Sequence, residues 1–277
     1  MKIDAHQHYW NYSVEDYGWI GDNMSVLKQD FLPVNLAPVL VDAGFDGTVA
    51  VQARQIYDET KWLLKLSDQS SIIKAVVGWV ELCSENVRDQ LRECSSHPRL
   101  RGVRHVLHDE PDDAFGLRED FVRGLAMLEE FNLAYDLLVF PKHLPLCCKI
   151  VEKFPNQVFV LDHIAKPLIK EGAMEPWEAG IRRLAQHPNV SCKVSGMVTE
   201  ADWSGWKPED FKPYLDVVFD CFGVDRLMIG SDWPVCTVSA PYANVMDIVC
   251  NYIGQLSPEQ QAAVLGENAR RIYQIPD

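Results

Sequence analysis

The sequence predicts an α/β protein built as a (β/α)8 TIM barrel, in one domain spanning residues 1–277. Three observations carry this expectation. Short apolar, β-branched runs alternate with longer helical patterns, the order of a parallel sheet with crossover helices. Several runs, Val158-Phe159-Val160-Leu161 among them, are apolar on both faces, as strands buried between helices and a barrel core must be. The strand runs number eight, over 2–6, 47–52, 73–80, 102–107, 134–139, 158–162, 190–194 and 226–229. A helical pattern starts at Asp58-Glu59-Thr60, and others cover 117–131, 141–154, 176–187, 208–221 and 241–253. The last covers 257–273, where Ser257-Pro258-Glu259-Gln260 reads as an N-cap with proline in the first turn. No linker, low-complexity stretch or internal repeat divides the chain. A doubly wound open sheet is the rival architecture.

The chain's 277 residues fit a barrel, which typically takes about 250. A hydrophobic share of 47% is enough for a sizeable core, and no run approaches the roughly 18 apolar residues that cross a membrane. A net charge of −14 argues against nucleic acid as a partner. The eight cysteines form no Cys-x-x-Cys pair, and Met1 leads straight into a strand with no apolar signal segment. They are expected to be reduced thiols in a cytoplasmic protein, a monomer or homodimer.

In a barrel the reactive groups sit at the carboxyl ends of the strands. Strand one ends in Asp4-Ala5-His6-Gln7-His8, and strict alternation would put Asp4, His6 and His8 on one face. Two such imidazoles can grip a metal ion or polarise a carbonyl oxygen. Later strand ends offer Gln52 and Arg54, Trp79 and Glu81, then Arg104 and His105 with His108 beyond. Tyr135 and Asp136 follow, then Asp162-His163 with Lys166, Lys193 and Ser195, and finally Asp232-Trp233. Asp4 and Asp162 read equally well as groups that orient the histidines. His108 and His143 read as surface or capping residues, and His97 and His187, each before a proline, as helix stops. For Trp10, Trp19, Trp203 and Trp206, pocket lining and loop packing stand level.

At this point the chain resembles the amidohydrolase superfamily, through Asp4–His8, Leu161-Asp162-His163, Ile229-Gly230-Ser231-Asp232-Trp233-Pro234 and the tail Leu265–Tyr273. Within it, Gly102-Val103-Arg104, Asp162–Pro167, Lys193-Val194-Ser195-Gly196 and Ser231–Pro234 are similar to a group of hydrolases acting on sugar lactones and lactones from aromatic rings. Binuclear members carry a bridging lysine or glutamate at strand four and a histidine at strand five. Here those places hold Arg104-His105 and Tyr135-Asp136-Leu137, which argues against two metals. The resemblance implies one divalent metal, zinc or manganese, on His6, His8, His163 and Asp232, or a metal-free site whose histidines act as electrophiles.

Opening a lactone needs a positioned water, a base and positive character at the carbonyl oxygen. Asp232 is the expected base, and His6, His8 and His163, or a metal they hold, would polarise the carbonyl. Gln52, Trp79, Arg104, His105, Tyr135, Lys193 and Trp233 are the expected contacts to the small-molecule lactone. A ring bearing carboxylates would need several cations, so the acidic balance favours a sugar lactone. The rivals are a metal-dependent decarboxylase or hydratase of a carboxylated ring and a catalytically silent binding barrel.

Overall fold

In a computed structural model, which describes residues 1–276, eight parallel strands pair in sequence order from β1 to β8. They are β1 (Ile3–Gln7), β2 (Gly47–Val51), β3 (Ile73–Gly78), β4 (Leu100–Val106), β5 (Ala134–Leu138), β6 (Phe159–Leu161), β7 (Val190–Val194) and β8 (Leu227–Ile229). Beyond β8 the ring closes on β1: the amide of His8 donates to the Trp233 carbonyl at 2.7 Å, and that of Asp232 to the His6 carbonyl at 2.8 Å. This closed order rules out an open doubly wound sheet.

The helices surround the ring: α1 (Pro33–Asp42), α2 (Tyr57–Gln69), α3 (Val87–Ser95), α4 (Glu119–Leu125), α5 (Leu144–Lys153), α6 (Trp177–Leu184), α7 (Pro208–Phe222) and α8 (Tyr242–Ile253). The sequence pattern does not announce α1 and α3, and the helical pattern over 117–131 runs six residues past the end of α4, because 126–131 continues in turns. The pattern over 257–273 is not one helix but α9 (Pro258–Ala262), a wide π-type turn at Ala263–Glu267, and α10 (Asn268–Ile272). The break lies where Gly266 packs on the chain's start; a Cβ there would stand 2.1 Å from the Met1 carbonyl oxygen.

Two apolar layers result. Between sheet and helices lies the larger, which includes Val76, Val103, Tyr135, Leu137 and Phe159. Inside the barrel lies a smaller one of Ile3, Ala5, Val49, Val51, Ala75, Val77, Ala134, Val160 and Met228, which Ala269, Ile272 and Tyr273 of the C-terminal segment join. Alternation along β4 and β5 therefore turns Arg104 and Asp136 inward with Ala134, and His105 outward with Tyr135.

In β1 strict alternation fails. Three steps from Asp4 to Gln7 match only two from Thr48 to Ala50 on β2, so one residue is bulged. Asp4 consequently does not share a face with His6 and His8. It accepts from Ser231 Oγ at 2.6 Å and from the Tyr242 hydroxyl of α8 at 3.1 Å.

Candidate active site

The bulge aims His6 and His8 at the carboxylate that follows β8. His8 Nε2 lies 3.4 Å from Asp232 Oδ1, His163 Nε2 3.8 Å and His6 Nε2 3.9 Å, so one oxygen faces three imidazoles. Backbone conformations that side chains rarely adopt hold this convergence. Asp232 has φ 59°, and His163, Ile164, Ala165 and Lys166 follow one another at 53°, 47°, 61° and 50°. Two glycines make room: a Cβ on Gly196 would meet the His163 ring at 2.5 Å, and one on Gly230 would meet His6 Cβ at 2.9 Å.

The rings are oriented from behind. His8 Nδ1 stands 2.8 Å from the Val51 carbonyl, which only accepts, so Nδ1 carries a proton. Nε2, 3.4 Å from Asp232 Oδ1, is placed to share a proton or a cation with that carboxylate. His163 Nδ1 is 2.9 Å from Ser195 Oγ. His6 Nδ1 lies 3.3 Å from Asp162 Oδ1 and 3.2 Å from Lys193 Nζ.

Beneath the histidines is a layer of ions. Lys193 Nζ binds Asp136 at 2.5 Å and Asp162 at 3.0 Å, and Arg104 binds Asp162 at 3.0 Å and approaches His6 Nε2 at 3.2 Å. The Tyr273 hydroxyl donates to Asp136 at 2.9 Å. Burial alone would raise Asp162, but Lys193, His6 and Arg104 hold it well below the ordinary carboxylate range. Burial pushes His6 and His163 well below the usual imidazole value, so both rings are neutral at neutral pH. Asp232 is held below its ordinary value by His163, His8 and Lys166 against the effect of burial, and stays a carboxylate.

Above them opens a cavity of about 390 Å³. Of the expected catalytic and substrate-contact residues, His8, Arg104, His163 and Asp232 line it, and His6 touches three of these four from below. Gln52 serves Arg104, its carbonyl accepting from the guanidinium and its amide donating to the Arg104 carbonyl at 3.5 Å. Lys193 lies in the ionic layer. Trp79 donates to His105 Nδ1 at 3.2 Å, and His105 stacks on Phe115 at 5.1 Å, so this pair belongs to the layer outside the sheet. Tyr135 packs between Phe121 and Phe159, and Trp233 against Tyr9 and Phe31. None of these four aromatic and imidazole groups lines the cavity.

The lining also holds residues that the sequence reading passed over or left level. Trp10, Trp19 and Trp203 face the cavity, while the Trp206 indole donates to Ser239 Oγ instead. His108, read as a surface or capping residue, joins the lining with Asp109. Lys166, which the sequence places after strand six without assigning it a role, and Glu200, which carries no sequence signal, complete a charged edge.

A model of the family described as amidohydrolase matches residues 3–275. The L-fucono-1,5-lactonase of Burkholderia multivorans is 41% identical over 288 residues, covering 100% of this chain and 97% of the relative. The L-fucono-1,5-lactonase of Burkholderia ambifaria is 35% identical over 283 residues, covering 99% and 96%. A crystal structure of a Burkholderia multivorans amidohydrolase with bound zinc superposes with a TM-score of 0.96 at 41% identity, each chain covered in full. With a closed barrel, a His/His/His/Asp cluster at its carboxyl end and a family match along nearly its whole length, the chain belongs to the amidohydrolase family.

Proposed function

We propose that the protein is a lactonase that hydrolyses a sugar-derived 1,5-lactone, with L-fucono-1,5-lactone the leading candidate. The likeness of the whole chain to two enzymes of that name carries the reading. The site geometry supports the following mechanism.

Asp232, ionised and at the cavity floor, takes a proton from the attacking water as its oxygen bonds to the carbonyl carbon. Arg104 offers an N–H to the oxygen on which negative charge develops. His163 serves as a second donor in the tautomer in which Ser195 Oγ donates to its Nδ1 and the ring proton lies on Nε2, the nitrogen that faces Asp232. The neutral state of His6 and His163 keeps the cluster from gathering excess positive charge around Asp232. When the tetrahedral intermediate collapses, Asp232 returns the proton to the leaving ring oxygen. A general base contributes about 10²–10⁴-fold and one oxyanion donor about 10²–10³-fold.

The donor set also fits one divalent ion. Ligand atoms of His6, His8 and Asp232 lie within 4.8 Å of one another, and imidazole with carboxylate suits zinc or manganese. His6, His8, His163 and Asp232 would hold it, and it would supply Lewis acidity toward the carbonyl oxygen.

A carboxylated ring, the substrate class of the decarboxylase alternative, fits the cavity less well. Of the cations that line it, Arg104 is paired with Asp162 and Lys166 with Glu200. The eight free cysteines suit a reducing cytoplasm, where we place the reaction. Among the described residues no helix is long and apolar enough to cross a membrane.

Proton release should be followed with a pH indicator across 1,4- and 1,5-sugar lactones, with and without chelator. We expect hydrolysis of L-fucono-1,5-lactone. Loss on chelation with recovery on zinc or manganese would assign the cluster as ligands. Silence on every lactone, with carbon dioxide release from a carboxylated ring, would overturn the reading.

A further inference from the structure

The geometry points to Lys166 and Glu200 as the specificity-determining pair that reads the ring hydroxyls of the substrate, an inference that rests on the lactonase reading above. Lys166 Nζ donates to Glu200 Oε1 at 2.6 Å, and both side chains line the cavity that has Asp232 at its floor. They come from different strand ends. Lys166 closes the turn after β6, and Glu200 ends the short turn Val198–Glu200 after β7. A backbone bond from the Lys170 amide to the Glu200 carbonyl, at 3.0 Å, ties the two turns together.

The turn that delivers Lys166 is left-handed through four successive non-glycine residues, His163 to Lys166, of which Ile164 is β-branched. Each such residue is costly for an L-amino acid. A single partly exposed ion pair is too weak to account for that conformation. What the turn achieves is placement. With about three residues per turn, residues i and i+3 eclipse, so His163 and Lys166 present their side chains to the same space. The Ile164 carbonyl, accepting from the Trp177 indole at 2.6 Å, fixes the turn from behind. One segment thereby sets the distance between a group at the reacting carbonyl and a group further up the wall.

Charge selects the ligand chemistry. A lone lysine would favour an anion, but the Glu200 carboxylate at 2.6 Å cancels that preference. The pair offers a donor and an acceptor side by side without net charge, the complement of a neutral hydroxyl that both accepts and donates. A ring carboxylate at that place would meet Glu200. A site that hydrogen-bonds substrate hydroxyls discriminates strongly against analogues lacking them, because its own polar groups are then left unpaired.

The test compares kcat/KM for L-fucono-1,5-lactone with that for the unsubstituted six-membered lactone δ-valerolactone, in the wild-type protein and in Lys166→Met and Glu200→Gln. The preference for the hydroxylated ring should fall by at least about 30-fold in each variant. Conservative Lys166→Arg should restore part of it. An unchanged preference overturns the assignment, whether both rates hold or both fall together, because loss of fold or of general electrostatics lowers both alike. A wild type inert toward both lactones overturns the lactonase reading itself, and the assignment with it.

Discussion

The two halves of the barrel interior are built on opposite principles. Toward the amino ends of the strands it is apolar, with Ile3, Ala75, Val77, Val160 and Met228 packed with Ile272 of α10 and the ring of Tyr273. One layer higher it is ionic: Arg104, Lys193, Asp136 and Asp162 are all fully or almost fully buried. Apolar layers tolerate no charge but need no partner, whereas a buried ion persists only while every neighbour balances it. Tyr273 joins the halves, its ring in the lower layer and its hydroxyl on Asp136. The lower half holds the barrel together; the upper one holds His6 still beneath a site that must stay polar.

The largest effect should come from the residue at the top of the ionic half. Asp232→Asn is expected to lower kcat by about 10²–10⁴-fold in steady-state hydrolysis, the ordinary contribution of a general base. Because Asp232 titrates below its usual value of 3.8, wild-type kcat/KM should stay level through the histidine range and fall only in strong acid. An acid limb near pH 6.5 would instead assign the base to an imidazole.

Lys193→Met leaves Asp136 and Asp162 without the cation they share, and thermal unfolding should register a loss of about 3–5 kcal/mol. Met228→Ala, in the apolar half, should cost about 2–5 kcal/mol through a cavity, and less than Lys193→Met if the contrast between halves holds. Its loss should not vary with pH, whereas that of Lys193→Met should shrink as the two aspartates protonate.

The smallest effect concerns a buried carboxylate outside both halves. Glu59 on α2 accepts from the amides of Ala53 and Arg54, at 3.3 and 2.7 Å, and fixes the loop after β2. Burial raises it from 4.5 to about 7 despite those bonds. Its folded pKa lies above its unfolded one, so its contribution is complete below about pH 4.5 and is lost as pH rises through about 7. Glu59→Gln should flatten the stability profile across that window by at most about 3 kcal/mol, read from melting temperatures at several pH values. An unchanged profile would show that the backbone amides alone keep Glu59 ionised.

Much of this molecule was legible from the order of its residues. Eight apolar β-branched runs announced the eight strands to within two residues at each end, because a strand between helices and core has no polar face to hide it. Four of the expected groups, His8, Arg104, His163 and Asp232, line one cavity with His6 beneath. The rest turned on direction. His105 and Tyr135 neighbour inward-facing Arg104 and Asp136, yet alternation sends them outward to Phe115 and Phe121. The helices α1 and α3 escaped notice where proline, or a short amphipathic stretch, weakened the pattern.

The barrel class, the strand ends that carry ionisable groups and the family are written in the order of residues, because hydrophobic periodicity and local motifs are short-range properties of the chain. Which of those groups meet depends on the folded chain. The one-residue bulge in β1 parts Asp4 from His6, the left-handed turn after β6 brings Lys166 beside Glu200, and the β1–β8 seam sets His8 against Asp232. Each of these depends on register between segments up to more than two hundred residues apart. Register follows from how the closed ring packs, and no local window of sequence contains it.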